Sequence, residues 1–210
     1  MLGGLPNARF WADTEVPELA EEALRALERE RRQLGLGKSD WLPPANLLAL
    51  SGGSDDGAFG AGLLVGWTAA GDRPEFKLVT GVSTGSLIAP FAFLGPAYDQ
   101  QLREVYTAIR PSDVFRRRGY LEIPFDEAMS DTQPLLGLIS RNANEQMLAA
   151  IAREYDKGRL LLIGTTNLDV MRPIIWNIGA IAASGHPDAL RLFRSILLAS
   201  SAVPAVFPRY

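Results

Sequence analysis

Residues 76–94 read FKLVTGVSTGSLIAPFAFL, and this stretch decides the fold. Its first residues form a short apolar run typical of a buried strand, and 86–94 is an apolar segment rich in helix formers. Between them GVSTG fits the pattern GxSxG, in which a strand ends in a strained turn that leads into a helix. The sequence therefore predicts a nucleophile elbow with Ser83 as the candidate nucleophile, flanked by Gly81 and Gly85.

A similar unit of strand, turn and helix lies about 30 residues earlier, and this spacing matches the usual length of a strand and its crossover helix. The segment NLLAL at 46–50 predicts a short strand, the turn SGGSDDG occupies 51–57, and AFGAGLLVGW at 58–67 predicts a helix. Repeated strand, turn and helix units imply parallel strands in an α/β layer fold, with ligands at the carboxyl ends of the strands. Both turns are therefore expected at the same edge of one sheet.

Acyl transfer from a serine needs hydrogen-bond donors where negative charge grows on the substrate's carbonyl oxygen. Successive main-chain amides in a glycine turn before a helix can converge on one anion, and Gly52, Gly53 and Ser54 are the candidate donors. The turn fits neither nucleotide-binding glycine pattern, GxxxxGK[ST] or GxGxxG. A tight connection whose aspartates cap the helix remains the alternative for this turn.

The composition indicates one ordinary globular unit and excludes several kinds of site. The chain has 210 residues and a formal charge of -3, which does not suit a nucleic-acid partner. It has no cysteine and one histidine, so thiolate and multi-histidine metal sites are excluded. Neither a signal peptide nor a spanning segment is visible. We expect a soluble protein, cytoplasmic or, if a leader was removed, in the cell envelope or secreted.

The rest of the chain is predicted to alternate helices and strands after an irregular start at 1–13. A surface helix is expected at 16–34, where apolar residues recur at helical spacing and the charged residues 28–32 form a solvated face. Further helices are expected at 97–109, 144–155 and 187–198, and strands at 160–164 and 172–178. We divide the chain into an N-terminal segment, 1–45, and one domain, 46–210.

The segment 110–132 has no clear periodicity and contains Arg116, Arg117 and Arg118. An exposed loop is the simpler interpretation. The alternative is a flap whose arginines meet anionic headgroups, which would give the protein a peripheral membrane contact.

Four segments together resemble the patatin-like phospholipases. They are LALSGGSDDGAFGAGLL, TGVSTG, IGTTNLDVMRPIIWNIGAIA and LLASSAVPAVFP, at 48–64, 80–85, 163–182 and 197–208. The resemblance implies a three-layer α/β/α fold with a mainly parallel central sheet, and hydrolysis of phospholipid or other lipid acyl esters by a Ser-Asp dyad, with no metal or other cofactor. It also implies that Ser83 is the nucleophile and that the amides near Gly52, Gly53 and Ser54 form the oxyanion hole.

Two departures from the family pattern lower the activity that we expect. Ser54 stands where the family usually has a third consecutive glycine, and its Cβ resists positive φ. The family's aspartate belongs to a DGG or DGA motif after the SAVPAVFP segment, but here the motif occurs only as Asp56-Gly57-Ala58, in the oxyanion turn. We therefore expect these residues to lack the C-terminal part of the fold and the dyad aspartate. Turnover should be low, because an unassisted serine is a weak nucleophile.

Three other interpretations remain open. Ser83, Asp169 and His186 occur in the order of an α/β-hydrolase triad, although turn roles explain Asp169 and His186 more simply. The chain could instead be a non-catalytic lipid- or membrane-associated domain that keeps the fold. A sheet edge exposed by an absent strand could be covered by a second copy, which would give a homo-oligomer.

Overall fold

The computed structural model describes residues 5–14, 16–53, 56–107, 116–117, 130–131 and 133–201. Strands are numbered in chain order: β1 (Arg9–Trp11), β2 (Leu47–Leu50), β3 (Leu78–Val82), β4 (Arg116–Arg117), β5 (Ser130–Asp131), β6 (Leu160–Asn167) and β7 (Arg172–Asn177). The described α-helices are α1 (Pro17–Gln33), α2 (Gly57–Ala70), α3 (Thr84–Leu94), α4 (Asp99–Thr107), α5 (Gln133–Asn142), α6 (Glu145–Asp156), α7 (Ile178–Ala183) and α8 (Ala189–Ser201).

Five of the strands form one sheet in the order β1-β7-β6-β3-β2. β2, β3 and β6 run parallel, and their register pairs Leu50 with Gly81 and Val82 with Gly164. β7 runs antiparallel to β6, and β1 antiparallel to β7. The predicted α/β fold with a mainly parallel sheet centre is confirmed, and β2 and β3 end side by side, so that the two predicted turns meet.

The core lies around β3, β6 and α3. Helix α3 carries no charged residue, and eight of its residues from Gly85 to Phe93 are buried. Val79, Leu161 and Ile163 are the central strand residues with no exposed surface. The apolar character that predicted a buried strand and helix on either side of GVSTG therefore places this unit inside the protein.

Arg159 braces this unit at the end away from Ser83. Its guanidinium donates to the carbonyl oxygens of Phe76 (2.9 Å) and Phe93 (2.6 Å) and pairs with Glu154 at 2.8 Å. Burial alone would raise the pKa of Glu154, but hydrogen bonds from Lys157 and Arg159 outweigh it and lower that pKa. Since Phe76 precedes β3 and Phe93 lies in the last turn of α3, one buried cation ties both ends of the unit together.

Two predictions about the elements need correction. Residues 1–13 are not wholly irregular, because Arg9–Trp11 forms β1 at the edge of the main sheet. Strand β7 ends at Asn177 and a short helix, α7, begins at Ile178. The side chain of Asn177 accepts a hydrogen bond from the main-chain N–H of Ala180, so this residue caps the helix and ends the strand.

The surface helix α1 also packs differently from the prediction. Its apolar residues Leu24 and Leu27 are exposed, whereas Glu22 is fully buried. The Glu22 carboxylate accepts hydrogen bonds from Arg29 (2.8 Å) and from the hydroxyl of Tyr155 (2.7 Å). Arg29 belongs to the charged run 28–32, so that run is not simply a solvated face. These bonds to Arg29 and to Tyr155 of α6 explain why the face of α1 that carries Glu22 is buried, because a buried charge is tolerated only when it is paired and hydrogen-bonded.

Candidate active site

Ser83 occupies the turn between β3 and α3, in a backbone conformation that a residue other than glycine rarely adopts. Its φ is 52° and its ψ is -128°. Such a conformation costs about 1–3 kcal/mol and persists only where the surroundings hold it. It is the geometry expected of a nucleophile elbow, in which the sharp turn projects the serine side chain from the end of the strand.

The two glycines of GVSTG allow the elbow to pack against main chain. A Cβ on Gly85 would lie 2.7 Å from both the carbonyl carbon of Leu50 and the carbonyl oxygen of Ser51. A Cβ on Gly81 would lie 2.8 Å from the carbonyl carbon of Gly85. Real Cβ atoms do not approach backbone this closely, so both positions require glycine. The elbow therefore contacts the end of β2 directly, where the glycine turn begins.

Gly52 faces Ser83. A Cβ on Gly52 would lie 2.8 Å from the Cβ of Ser83 and 3.4 Å from its Oγ. The structure thus brings together two stretches about 30 residues apart, as expected for neighbouring crossover units. Gly53 is the next residue of the turn and is exposed. Ser54, the third candidate donor, lies outside the described residues, as does Asp55.

Two helix N-termini meet at this point. α2 begins at Gly57 and α3 at Thr84, and a Cβ on Gly57 would overlap the Cγ2 of Thr84. Neither helix has an acidic residue in its first turn. The N-terminus of a helix carries about half a positive charge, so the start of α3 favours an anion that forms at Ser83, whereas the Asp56 N-cap of α2 offsets the effect of that helix.

The main-chain groups of Ser83 are held by other serines. Its N–H donates to the Oγ of Ser200 at 3.0 Å. Its carbonyl oxygen accepts hydrogen bonds from the N–H of Ser86 (2.8 Å) and from the Oγ of Ser86 (2.6 Å). Neither Ser86 nor Ser200 is among the site residues predicted from the sequence. Ser86 directly follows the elbow motif, and Ser200 lies in the family-like segment 197–208, so a signal for both was present.

The structure separates His186 and Asp169 from Ser83. The Nδ1 of His186 accepts a hydrogen bond from the N–H of Asp188 just before α8, whereas Ser83 contacts Ser200 at the other end of that helix. Those ends are about 17 Å apart at 1.5 Å per residue. Asp169 lies in an exposed turn, and its main-chain N–H donates a hydrogen bond to the side chain of Asn167. Both residues have turn roles, and the geometry argues against a triad.

Tyr106 of α4 lies beside the start of α2. A Cβ on Gly57 would be 3.4 Å from its ring, and among the described residues its buried hydroxyl has no hydrogen-bond partner. Burial raises the pKa of Tyr106 above its usual range, so the phenol stays protonated at neutral pH. The ring of Tyr106 packs at the start of α2, which follows the glycine turn.

Two apolar side chains close in sequence to the two turns are exposed. Val82, next to Ser83, is 47% exposed, and Phe59 in the first turn of α2 is 77% exposed. An apolar pocket also runs along α3, where Leu87 and Phe91 line it together with residues of α4, α5, α6 and α8. The described residues include no group of three or more metal-binding side chains. In the described part of the chain, no helix is both long and apolar enough to cross a membrane.

Comparison with known proteins identifies the family. No curated protein matches the chain. The family model described as patatin-like phospholipase matches residues 48–210, which include both the glycine turn and the elbow. Since this match covers more than half of the 210 residues, the chain belongs to the patatin-like phospholipase family.

Proposed function

We propose that this protein hydrolyses acyl esters of phospholipids or simpler lipids, with Ser83 as the nucleophile. The observation that carries the proposal is the approach of Gly52 to Ser83, where an added Cβ would lie 3.4 Å from the Ser83 hydroxyl oxygen. A turn of main-chain amides beside a serine is the arrangement that acyl transfer requires. Family membership supports the same reaction class.

The proposed reaction has two steps. The Ser83 oxygen attacks the ester carbonyl, its proton passes to the dyad aspartate, and the amides of Gly52 and Gly53 stabilise the oxyanion. The tetrahedral intermediate then expels the alcohol, which takes the proton, and leaves an acyl-serine. Water then attacks the acyl carbon and gives a proton to the same aspartate. The bond to the Ser83 oxygen breaks, the proton returns to that oxygen, and the fatty acid leaves. No hydrogen bond joins Ser83 to a carboxylate among the described residues, so we place the aspartate outside them.

Family membership supports a lipid substrate, and exposed apolar side chains are consistent with it. Val82 precedes Ser83 and Phe59 lies in the first turn of α2, and both expose apolar surface that an acyl chain can contact. Along α3, Leu87 and Phe91 lie about 6 and 12 Å beyond Ser83 at 1.5 Å per residue. Both line a small internal cavity that is too narrow as it stands to hold an acyl chain, so the lipid assignment rests on family membership and not on this cavity.

The test is product analysis with full-length protein on phosphatidylcholine micelles and on a p-nitrophenyl ester of a short fatty acid. We expect free fatty acid from the lipid and p-nitrophenol from the ester, both unaffected by EDTA. p-Nitrophenyl phosphate should remain intact, because the proposed site attacks acyl carbon. Release of phosphocholine without fatty acid would contradict the proposal. Micelle binding without any product would favour the non-catalytic alternative.

A further inference from the structure

The hydroxyl of Ser200 links the elbow to the neighbouring strand. It accepts the hydrogen bond from the N–H of Ser83 at 3.0 Å and donates to the carbonyl oxygen of Gly164 at 2.7 Å. Gly164 lies in β6 and pairs with Val82, the last residue of β3. The hydroxyl therefore joins the amide at the turn to the adjacent strand, at the point where β3 ends.

This link is the shorter of two hydrogen bonds between α8 and the main chain of Ser83. The carbonyl oxygen of Ser83 is bonded by Ser86, which lies three residues further along the same turn and helix, and the Oγ of Ser201 on α8 also donates to it at 3.4 Å. The Ser86 bonds lie within the turn itself. Ser200 instead lies 117 residues away in sequence, on the last turn of α8, which packs against β6. Among the described contacts of the Ser83 N–H, it is the one that fixes the elbow to the rest of the fold.

The elbow needs such a tie because Ser83 has positive φ. That conformation is less stable than the ordinary alternatives, and it relaxes where the surroundings do not hold it. A displacement of about 1 Å in a reacting group can cost on the order of 100-fold in rate. Loss of the Ser200 hydroxyl would therefore move the nucleophile relative to the Gly52 amide.

We propose that Ser200 is a positioning residue that holds the main chain of Ser83 in the reactive elbow conformation. The inference rests on the proposed function, because it assumes that Ser83 is the nucleophile. Ser200 contacts neither the ester nor the reacting atoms in this account. It acts through the amide of Ser83, so its removal affects the rate of acyl transfer more than the binding of substrate.

The test compares Ser200→Ala with Ser200→Thr, which keeps a hydroxyl, and with Ser195→Ala. Ser195 is an exposed serine on the same helix and serves as the matched control. On a soluble short-chain ester we expect Ser200→Ala to lower kcat about 10- to 100-fold with KM within about 2-fold. The Thr variant should recover most of kcat, and Ser195→Ala should match wild type.

Hydrogen exchange of the Ser83 amide, followed by NMR, separates this inference from the proposed function, because it requires no activity. We expect exchange at least about 10-fold faster in Ser200→Ala than in wild type or Ser195→Ala, since the amide loses its partner. Unchanged exchange would overturn the inference, and so would faster exchange with unchanged kcat. Hydrolysis that survives Ser83→Ala would overturn the proposed function and the role of Ser200 in it, whatever the exchange data show.

Discussion

Replacing Ser83 by alanine should lower kcat for ester hydrolysis by about 1000-fold or more. Removal of the nucleophile abolishes the covalent route and leaves only what the oxyanion donors and binding supply. Folding should be little affected, because the bonds that hold the turn use the main-chain N–H and carbonyl of Ser83. The measurement is the initial rate of p-nitrophenyl ester hydrolysis, with thermal unfolding followed in parallel.

Ser195→Ala is again the matched control, because it removes an exposed serine hydroxyl far along α8 from the elbow contact. Equal losses in both variants would point to a general disturbance of the protein. Retention of more than about a tenth of the wild-type rate in Ser83→Ala would show that another group performs the chemistry, since a nucleophile cannot be that dispensable.

Replacing Gly52 by alanine should lower kcat about 100- to 1000-fold, comparable with the loss of an oxyanion donor. The new Cβ would lie 2.8 Å from the Ser83 Cβ, so the turn and the elbow must move apart. The backbone itself can accept alanine here, because Gly52 does not have positive φ. We therefore expect a folded protein with a damaged site, seen as lost kcat with a melting temperature near that of wild type.

Alanine variants of two further glycines serve as controls for Gly52→Ala. Among the described residues, a Cβ on Gly53 would contact only the side chain of Asp56, whose Cβ lies at an ordinary 3.4 Å, so Gly53→Ala should be the milder change in the turn. A Cβ on Gly62, within α2, would meet none of the described residues within 4 Å, so Gly62→Ala should leave kcat unchanged. If Gly52→Ala were as active as Gly62→Ala, the turn would not lie against the nucleophile as the structure places it.

Much of this site could be predicted from the sequence because its signals are local. The apolar run, the GVSTG turn and the apolar helix stand next to one another in 76–94, and the same order occurs at the Gly52 turn. Parallel packing of such units brings their turns to one edge of a sheet. The resulting proximity of Gly52 and Ser83 follows from pattern and topology alone.

The remaining features depend on contacts between distant residues. Strand β1 has only three residues and forms because β7 offers a free edge. Glu22 suits a solvated helix N-terminus by its local sequence, yet it is buried by pairing with Arg29 and Tyr155. Ser200 likewise gains its contact with Ser83 from a helix more than 100 residues further on. Patterns within a short window cannot specify such partners.

The most direct test of the account is to label the full-length protein with a fluorophosphonate and locate the adduct by mass spectrometry. A fluorophosphonate reacts only with an activated serine, so the account predicts a single adduct on Ser83, absent in Ser83→Ala and much slower to form in Gly52→Ala. An adduct on a different serine, or no adduct in a protein that hydrolyses lipid esters, would contradict the claim that the elbow and the glycine turn form one acyl-transfer site.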